Sequence, residues 1–544
     1  MKPAHPLILS ELPFMKGRCV MRRAYHKLAL LPAMALILTS GCVGPTFHRP
    51  KPWTPDQYRM PQQGGEAGVT SRTTQDPAAA SWWGLFNDPE LSSLQSRLAS
   101  QNLYIQRATT QLAQSRAQLM IAGAGRYPSL SAMGSYQRSQ YSTKFFQRAL
   151  SQIGQNSKDS LGAQNATLLD QSIGNVVVPQ LNQWRTGIDA QYELDLWGRV
   201  ARQYESAKAM LQATDEQRRS VIIAQQADLA YDYLALRGLQ EQLRILKENR
   251  ATAQRTLDLA RERQHVGLVT ELDVTSAQRQ LDTTTAQIAQ MEQRVTQQIN
   301  AINLLLGLPP GSLDDELQRT AGIPVVPPRV PVGLPSDLVR RRPDIRQAEA
   351  QLHAAVANIA EAEAEFYPKV TISADFGLQT LSFRDLGFWN ARAWNVGPSI
   401  SLPIFQGGRL RGNLMLTKYA EQTAAITYRQ TVLGAWRDVD NALVAYRDEQ
   451  KRHQGLVSAA SAARRALDLA KDQYRSGLVT YLDVLSAQQA LLDAEMQVAD
   501  SSMTVAANLA RLYNALGGGW ENIAPEEAAK SALTPKTYDK LTSR

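Results

Sequence analysis

Residues 259–307 of this 544-residue chain return without a gap as residues 469–517, an offset of 210 positions. Gly267-Leu268-Val269-Thr270 comes back as Gly477-Leu478-Val479-Thr480, and Leu272-Asp273-Val274 with Ser276-Ala277-Gln278 comes back as Leu482-Asp483-Val484 with Ser486-Ala487-Gln488. An ungapped repeat of this length confines the chain to folds made of two equivalent halves, so the functional object carries pseudo-symmetry whatever its chemistry.

Each half reads as helix, two strands, long helix, turn, helix. Residues 89–122, rich in Leu, Ala, Gln and Arg, read as one helix ending before Tyr127-Pro128, and residues 336–366 repeat the arrangement up to Tyr367-Pro368. Residues 129–138 and 369–380 alternate with a period of two, the signature of a strand, and return strands are expected at about 185–196 and 393–404. Residues 199–264 contain no proline and only Gly238, so they can run as one helix roughly 100 Å long. Ile222, Leu229, Leu236 and Leu243 fall seven apart, with Leu239 and Leu246 alongside, and this seam asks for a partner helix. That partner is residues 270–306, reached through a tight turn at Gly267; residues 411–473 and 480–516 mirror the pair around Gly477. Glycine just past a helix end is a favoured stop because it accepts positive φ.

The ends of the chain have a different character. Arg22, Arg23 and Lys27 precede an apolar stretch, residues 28–38, that is too short to span a bilayer, so residues 1–41 read as a signal peptide. Residues 1–20 look like an upstream extension, with Met15 or Met21 as alternative starts. Leu38-Thr39-Ser40-Gly41-Cys42 resembles the lipobox of bacterial lipoproteins, with Thr39 where leucine is usual; the resemblance implies lipidation of Cys42. Val43 is not the aspartate associated in that class with inner-membrane retention, so delivery to the outer membrane is expected. An ordinary signal peptide that happens to contain a cysteine is the competing reading. The two cysteines are Cys19 and Cys42, so the mature chain can form no internal disulfide, and the lack of bridges does not argue against export. The leader holds six Lys/Arg against Glu11, which leaves about +4 of the formal +9 on the mature chain. That balance makes no case for nucleic-acid binding.

Four strands of about ten residues are long enough to cross a hydrocarbon core when tilted. One chain cannot close them into a barrel, and an open sheet edge in lipid strands backbone donors and acceptors at several kcal/mol each. Two copies would give eight strands and a filled interior, whereas three give twelve strands and room for a passage. Aromatics near the strand ends that face the loops, Tyr136, Tyr141, Trp184, Phe388, Trp389 and Trp394, match an interfacial girdle. The loops differ: about 46 residues separate the first strand pair and about 12 the second.

Several motifs then resemble one family in its own order: Trp82-Trp83-Gly84-Leu85-Phe86-Asn87-Asp88-Pro89, Tyr192-Glu193-Leu194-Asp195-Leu196-Trp197-Gly198-Arg199, Arg341-Arg342-Pro343-Asp344-Ile345, Phe366-Tyr367-Pro368, Pro403-Ile404-Phe405-Gln406-Gly407-Gly408-Arg409, and the two Gly-Leu-Val-Thr turns. The chain resembles outer-membrane efflux lipoproteins of the TolC superfamily, OprM/NodT branch, over residues 42–520. The resemblance implies an α+β membrane protein: a trimeric twelve-stranded outer-membrane β-barrel, four strands per chain, continued by a periplasmic α-helical coiled-coil barrel with a mixed equatorial belt. Residues 1–41 are then the leader, 42–88 the N-terminal belt segment and 89–308 the first repeat. A linker with seven prolines, residues 309–335, joins it to the second repeat, 336–517, and residues 518–544 are a C-terminal belt segment or tail.

The same resemblance implies a homotrimer fed by a periplasmic adaptor (membrane fusion) protein and an inner-membrane pump of the RND type, in contact with outer-membrane lipids. Gly267, Leu268, Val269, Thr270 and Gly477, Leu478, Val479, Thr480 would be hairpin tips that dock the adaptor; plain helix-turn chemistry would also explain the glycines. Asp483 matches an acidic position that narrows the pore entrance, and Asp273 with Tyr474 matches a pair that links neighbouring hairpins in the closed state. Ser486 stands where TolC has a second aspartate, so a double acidic ring is not implied. Both aspartates also lie in the first turn of a helix, where a carboxylate complements the dipole. No enzyme motif is present, the mature histidines 48, 265, 353 and 453 are isolated, and no cofactor is expected. The competing readings are a non-channel periplasmic scaffold lipoprotein or, within the channel class, an outer component for metal export or type I protein secretion.

Overall fold

The computed structural model describes residues 43–51, 54–55, 68–77, 79–140, 142–144, 148 and 180–522. The expectations for the leader, Cys42, Tyr141, most of the first inter-strand loop and the tail beyond residue 522 lie outside them. In chain order the principal strands and helices are β1 (Arg72–Thr74), α1 (Pro89–Gln101), α2 (Leu103–Ala124), β2 (Ser129–Ser139), β3 (Leu181–Leu194), α3 (Arg199–His265) and α4 (Glu271–Leu305). They continue with β4 (Arg329–Pro331), α5 (Pro335–Arg341), α6 (Pro343–Ala364), β5 (Lys369–Thr380), β6 (Arg392–Ser401), α7 (Arg409–Arg475) and α8 (Tyr481–Leu516).

The long helices α3 and α7 are both 67 residues, roughly 100 Å at 1.5 Å per residue. In α3 the seam residues Ile222, Leu229 and Leu236 are fully buried, so burial rather than intrinsic propensity holds this length together. Helices α3 and α4 pack as one hairpin, α7 and α8 as the other, and α8 lies against α3 to join the two. Nearer the strands, α2 and α6 lie against α3, and α6 also packs on α7.

Two expected single helices are each broken. Residues 89–122 divide at Asn102, which ends α1 and caps α2: its side-chain oxygen accepts the Ile105 N–H at 2.9 Å while its amide donates to the Leu305 carbonyl at 2.8 Å. Residues 336–366 divide at Arg342, because Pro343 disfavours helical geometry in the residue before it and is itself comfortable at a helix start. The last expected strand stops at Ser401 instead of residue 404, since Ser401 pairs with Lys369, the first residue after Pro368, and nothing lies beyond to receive the ladder. The first return strand also shifts, with β3 beginning at Leu181 opposite Ser139 rather than at residue 185.

The largest apolar core lies where the Pro-rich linker and the N-terminal segment wrap the helices. β1 pairs in parallel with β4, and Trp82, buried, stacks on Tyr513 of α8 at 5.6 Å. Ser71 and Gln450 of α7 tie the strand pair down: the Ser71 N–H donates to Gln450 Oε1 at 2.9 Å.

Candidate functional site

Two regions bear on function: a four-stranded sheet at one end of the helices and the two hairpin turns at the other. The sheet order is β2-β3-β5-β6, every neighbour antiparallel. β2 and β6 end that order, and among the described residues no strand pairs with their outer edges. Eleven- and twelve-residue strands such as β2 and β5 rise about 3.3 Å per residue and at a tilt of about 40° span roughly 30 Å, a hydrocarbon thickness.

Pairing fixes which side chains share a face. Leu130, Ile188, Ile372, Phe376, Val396 and Ile400 fall on one face, all exposed in the single chain. Ser131, Arg185, Asp189, Ser373, Asp375 and Asn395 fall on the other. This alternation, apolar on one side and polar on the other, is that of a wall between lipid and water. Aromatics gather at both ends of the apolar face. Tyr136 lies 4.2 Å from Trp184, which meets Phe383 at 4.9 Å, with Phe388, Trp389 and Trp394 exposed nearby. At the helix end, Trp197 stacks on Tyr367 at 4.9 Å and donates its Nε1–H to the Pro368 carbonyl at 2.8 Å.

The strand-to-helix junction explains one of the sequence motifs. Gly198 takes φ +82° to start α3, and the Asp195 carboxylate accepts the Val200 and Ala201 N–H groups at 3.1 and 2.7 Å. Arg199 forms a fork with Glu193 at 2.9 and 2.8 Å. Two further motifs are likewise structural: Asp88 caps α1 and accepts the Tyr233 hydroxyl at 2.7 Å, and Arg342 binds Asp344 and donates to the Ala515 carbonyl at 2.8 Å. The first described residues run back along α6 toward this junction. Arg49 pairs with Glu349 at 2.7 Å, Phe47 stacks on His353 at 4.4 Å, Gly44 lies on Ala360, and the Val43 N–H donates to the Trp197 carbonyl at 3.2 Å.

At the far end, Gly267 and Gly477 adopt φ +73° and +75°. Their turns are closed alike: the Leu268 N–H reaches the Arg263 carbonyl and the Leu478 N–H reaches that of Gln473, both at 2.9 Å. Thr270 and Thr480 then cap α4 and α8 through capping boxes in which Asp273 and Asp483 accept both the threonine N–H and its hydroxyl. The Thr480 hydroxyl and N–H hold the Asp483 carboxyl below its ordinary range. Leu268 and Leu478 are 73% and 76% exposed, and no described atom lies within 4 Å of where a Cβ would stand on either glycine.

Between the turns, Leu257, Ala260, Ala277, Leu467, Tyr474, Tyr481 and Val484 form a small core that joins the hairpins. Tyr474 lies 6.1 Å from Tyr481, and Arg263 sits 4.7 Å over the Tyr474 ring. Burial, then Tyr474 and the Asp273 carboxylate, pushes the Tyr481 hydroxyl up to about 12. Within the protomer Asp273 and Tyr474 are not hydrogen-bonded to each other, and among the described residues the Tyr474 hydroxyl has no partner. Sequence reading missed Arg263 and Tyr481. Their signal was present as failures of the repeat: Arg263, Gln264 and Glu271 correspond to Gln473, Tyr474 and Tyr481. Among the described residues no group of three or more His, Cys, Asp and Glu could hold a metal, and no helix is long and apolar enough to cross a membrane.

A family model described as outer membrane efflux protein matches residues 94–308 and 334–518. The chain is 30% identical to the solvent efflux pump outer membrane protein SrpC of Pseudomonas putida, over 91% of its own length and 99% of that protein. It is 27% identical to the probable outer membrane lipoprotein SilC of Salmonella typhimurium, over 91% and 99%. Among solved structures it is similar to the outer-membrane channel OprN, with 28% identity and a TM-score of 0.76, covering 88% of this chain and all of that one.

Proposed function

Because the chain belongs to the outer membrane efflux protein family, we propose that three copies close their sheets into one twelve-stranded outer-membrane barrel, the exit duct of a tripartite efflux system for small molecules such as drugs. The observation that carries this reading is the sheet with two free edges and one apolar face. In lipid those edges must be paired, and the alternating strand directions let β6 of one copy continue into β2 of the next without breaking the antiparallel order. The purified protein should run as a heat-modifiable trimer and conduct in planar bilayers; a monomer that carries no current would overturn the reading.

The helical hairpins would then form a periplasmic tube. Its tips, Gly267 to Thr270 and Gly477 to Thr480, dock the adaptor, a role supported by exposed apolar side chains on turns each closed by two backbone hydrogen bonds. An inner-membrane pump, of the RND type, completes the path. Asp273, Tyr474 and Asp483 form the periplasmic gate; their support is position next to the turns and, for Tyr474, a buried hydroxyl free for a partner from a neighbouring copy. Lipidation at Cys42 draws support from Val43, its chain neighbour, which is held beside Trp197 at the helix end of the strands, where a membrane surface would lie. Radiolabelled palmitate should enter the protein and fail to enter a Cys42→Ser variant.

A further inference from the structure

We propose that Asp189, Asp375 and Arg185 form a charge filter in the barrel lumen, separate from the hairpin tips, that sets a cation preference midway along the strands; the proposal rests on the barrel reading above. Ser131, Asp189, Asp375 and Asn395 make one row across all four strands on the polar face. Asp189 and Asp375 are directly opposed neighbours in that row. Two carboxylates so placed repel one another unless a cation intervenes. Arg185 supplies it, with Nη2 at 3.2 Å from Asp375 and 3.8 Å from Asp189.

The backbone beneath is shaped for this reach. Between the arginine and the aspartates on the same face stand Gly187 and Gly377, paired with each other. A Cβ on Gly187 would come within 2.6 Å of the Phe376 carbonyl oxygen and 2.8 Å of Gly377 Cα, and one on Gly377 would run into the Thr186 carbonyl. The glycine pair is therefore obligatory, and it leaves the wall bare where the guanidinium must cross. The three groups are only partly buried, with side-chain exposures of 37%, 31% and 29% for Arg185, Asp189 and Asp375, so they face water on the side opposite Phe376 and Ile188.

One arginine against two aspartates leaves each chain one negative charge at this level, and three chains place three around the lumen. Charged rings set selectivity in pores. A wall charge acts over about a Debye length, ~8 Å at physiological ionic strength, so the preference should be modest and should fade with salt.

Reversal potentials under a salt gradient across planar bilayers test this. Asp375→Asn should lower the cation-to-anion permeability ratio by about twofold and Arg185→Gln should raise it by a similar factor at low salt. Asn395→Asp, which adds a carboxylate directly opposite Asp375 in the same row and leaves the three side chains of the triad unchanged, should raise it too. Opposite shifts for Asp375→Asn and Arg185→Gln, or a rise for Asn395→Asp should the triad variants fail to assemble, support the filter. Conducting variants with unchanged reversal potentials overturn it while leaving the barrel intact. A wild-type protein that never conducts defeats the barrel reading itself.

Discussion

The two hairpin tips share one backbone and differ in their side walls. Both turn on a glycine near φ +74°, both expose a leucine, and both restart a helix with a threonine–aspartate capping box. Flanking them, the first hairpin offers Arg263, Gln264 and Glu271 where the second offers Gln473, Tyr474 and Tyr481. The tyrosines are buried against the first hairpin and the arginine covers one of them. The difference teaches that duplication preserved what a turn requires locally, while the surfaces by which the hairpins meet diverged into a complementary pair.

The sharpest break of this comparison comes from the shared part. Gly477→Trp and Gly267→Trp place a side chain in empty space, at a strain of about 1–2 kcal/mol from the left-handed backbone, so trimers should still assemble. Efflux complementation, read as drug tolerance of a deletion strain, should be lost in either; unchanged tolerance would count against the tips as docking sites. Next is the divergent part. Tyr474→Ala should cost about 3–5 kcal/mol of local packing, visible as faster hydrogen exchange around residue 474, whereas Gln264→Ala should cost far less. Tyr474→Phe removes a hydroxyl with no partner among the described residues and should leave that exchange unchanged; a rise in single-channel conductance would identify a partner in a neighbouring copy.

Asp483→Ala should raise conductance or reduce cation preference, if the acidic position narrows the entrance; equal currents from wild type and variant would remove Asp483 from the gate. The smallest effects test equivalence. Thr270→Ala and Thr480→Ala should each cost about 1 kcal/mol at their own tip, and unequal losses in hydrogen exchange would show that the caps are not interchangeable. The second cap also carries a sign in pH. The Asp483 carboxyl is held low in the folded state, so its contribution is full above the ordinary carboxylate range and disappears as pH falls through the depressed value. Thr480→Ala should flatten that acid-range dependence in exchange rates near residue 480.

The repeat, the strand alternation and the glycine turns were legible because each is a local rule: period two, period 3.5 and positive φ leave marks within a few residues. The breaks at Asn102 and Arg342 were equally marked, by a capping residue and by Pro343, yet a run of helix-forming residues outweighed them. Arg263 and Tyr481 were not marked by any local rule. Their roles arise from packing between segments about 210 positions apart, and only the mismatch between repeats hinted at them.

By itself the sequence determined two halves, four amphipathic strands and two long hairpins, since these follow from which residues can bury and which backbone angles they permit. The tertiary structure decided which residues share a row, bringing Asp189, Asp375 and Arg185 together and seating Tyr474 under Arg263. Register and helix-to-helix contact depend on the whole assembly of elements, because a strand shifted by one residue exchanges its two faces without altering its own pattern.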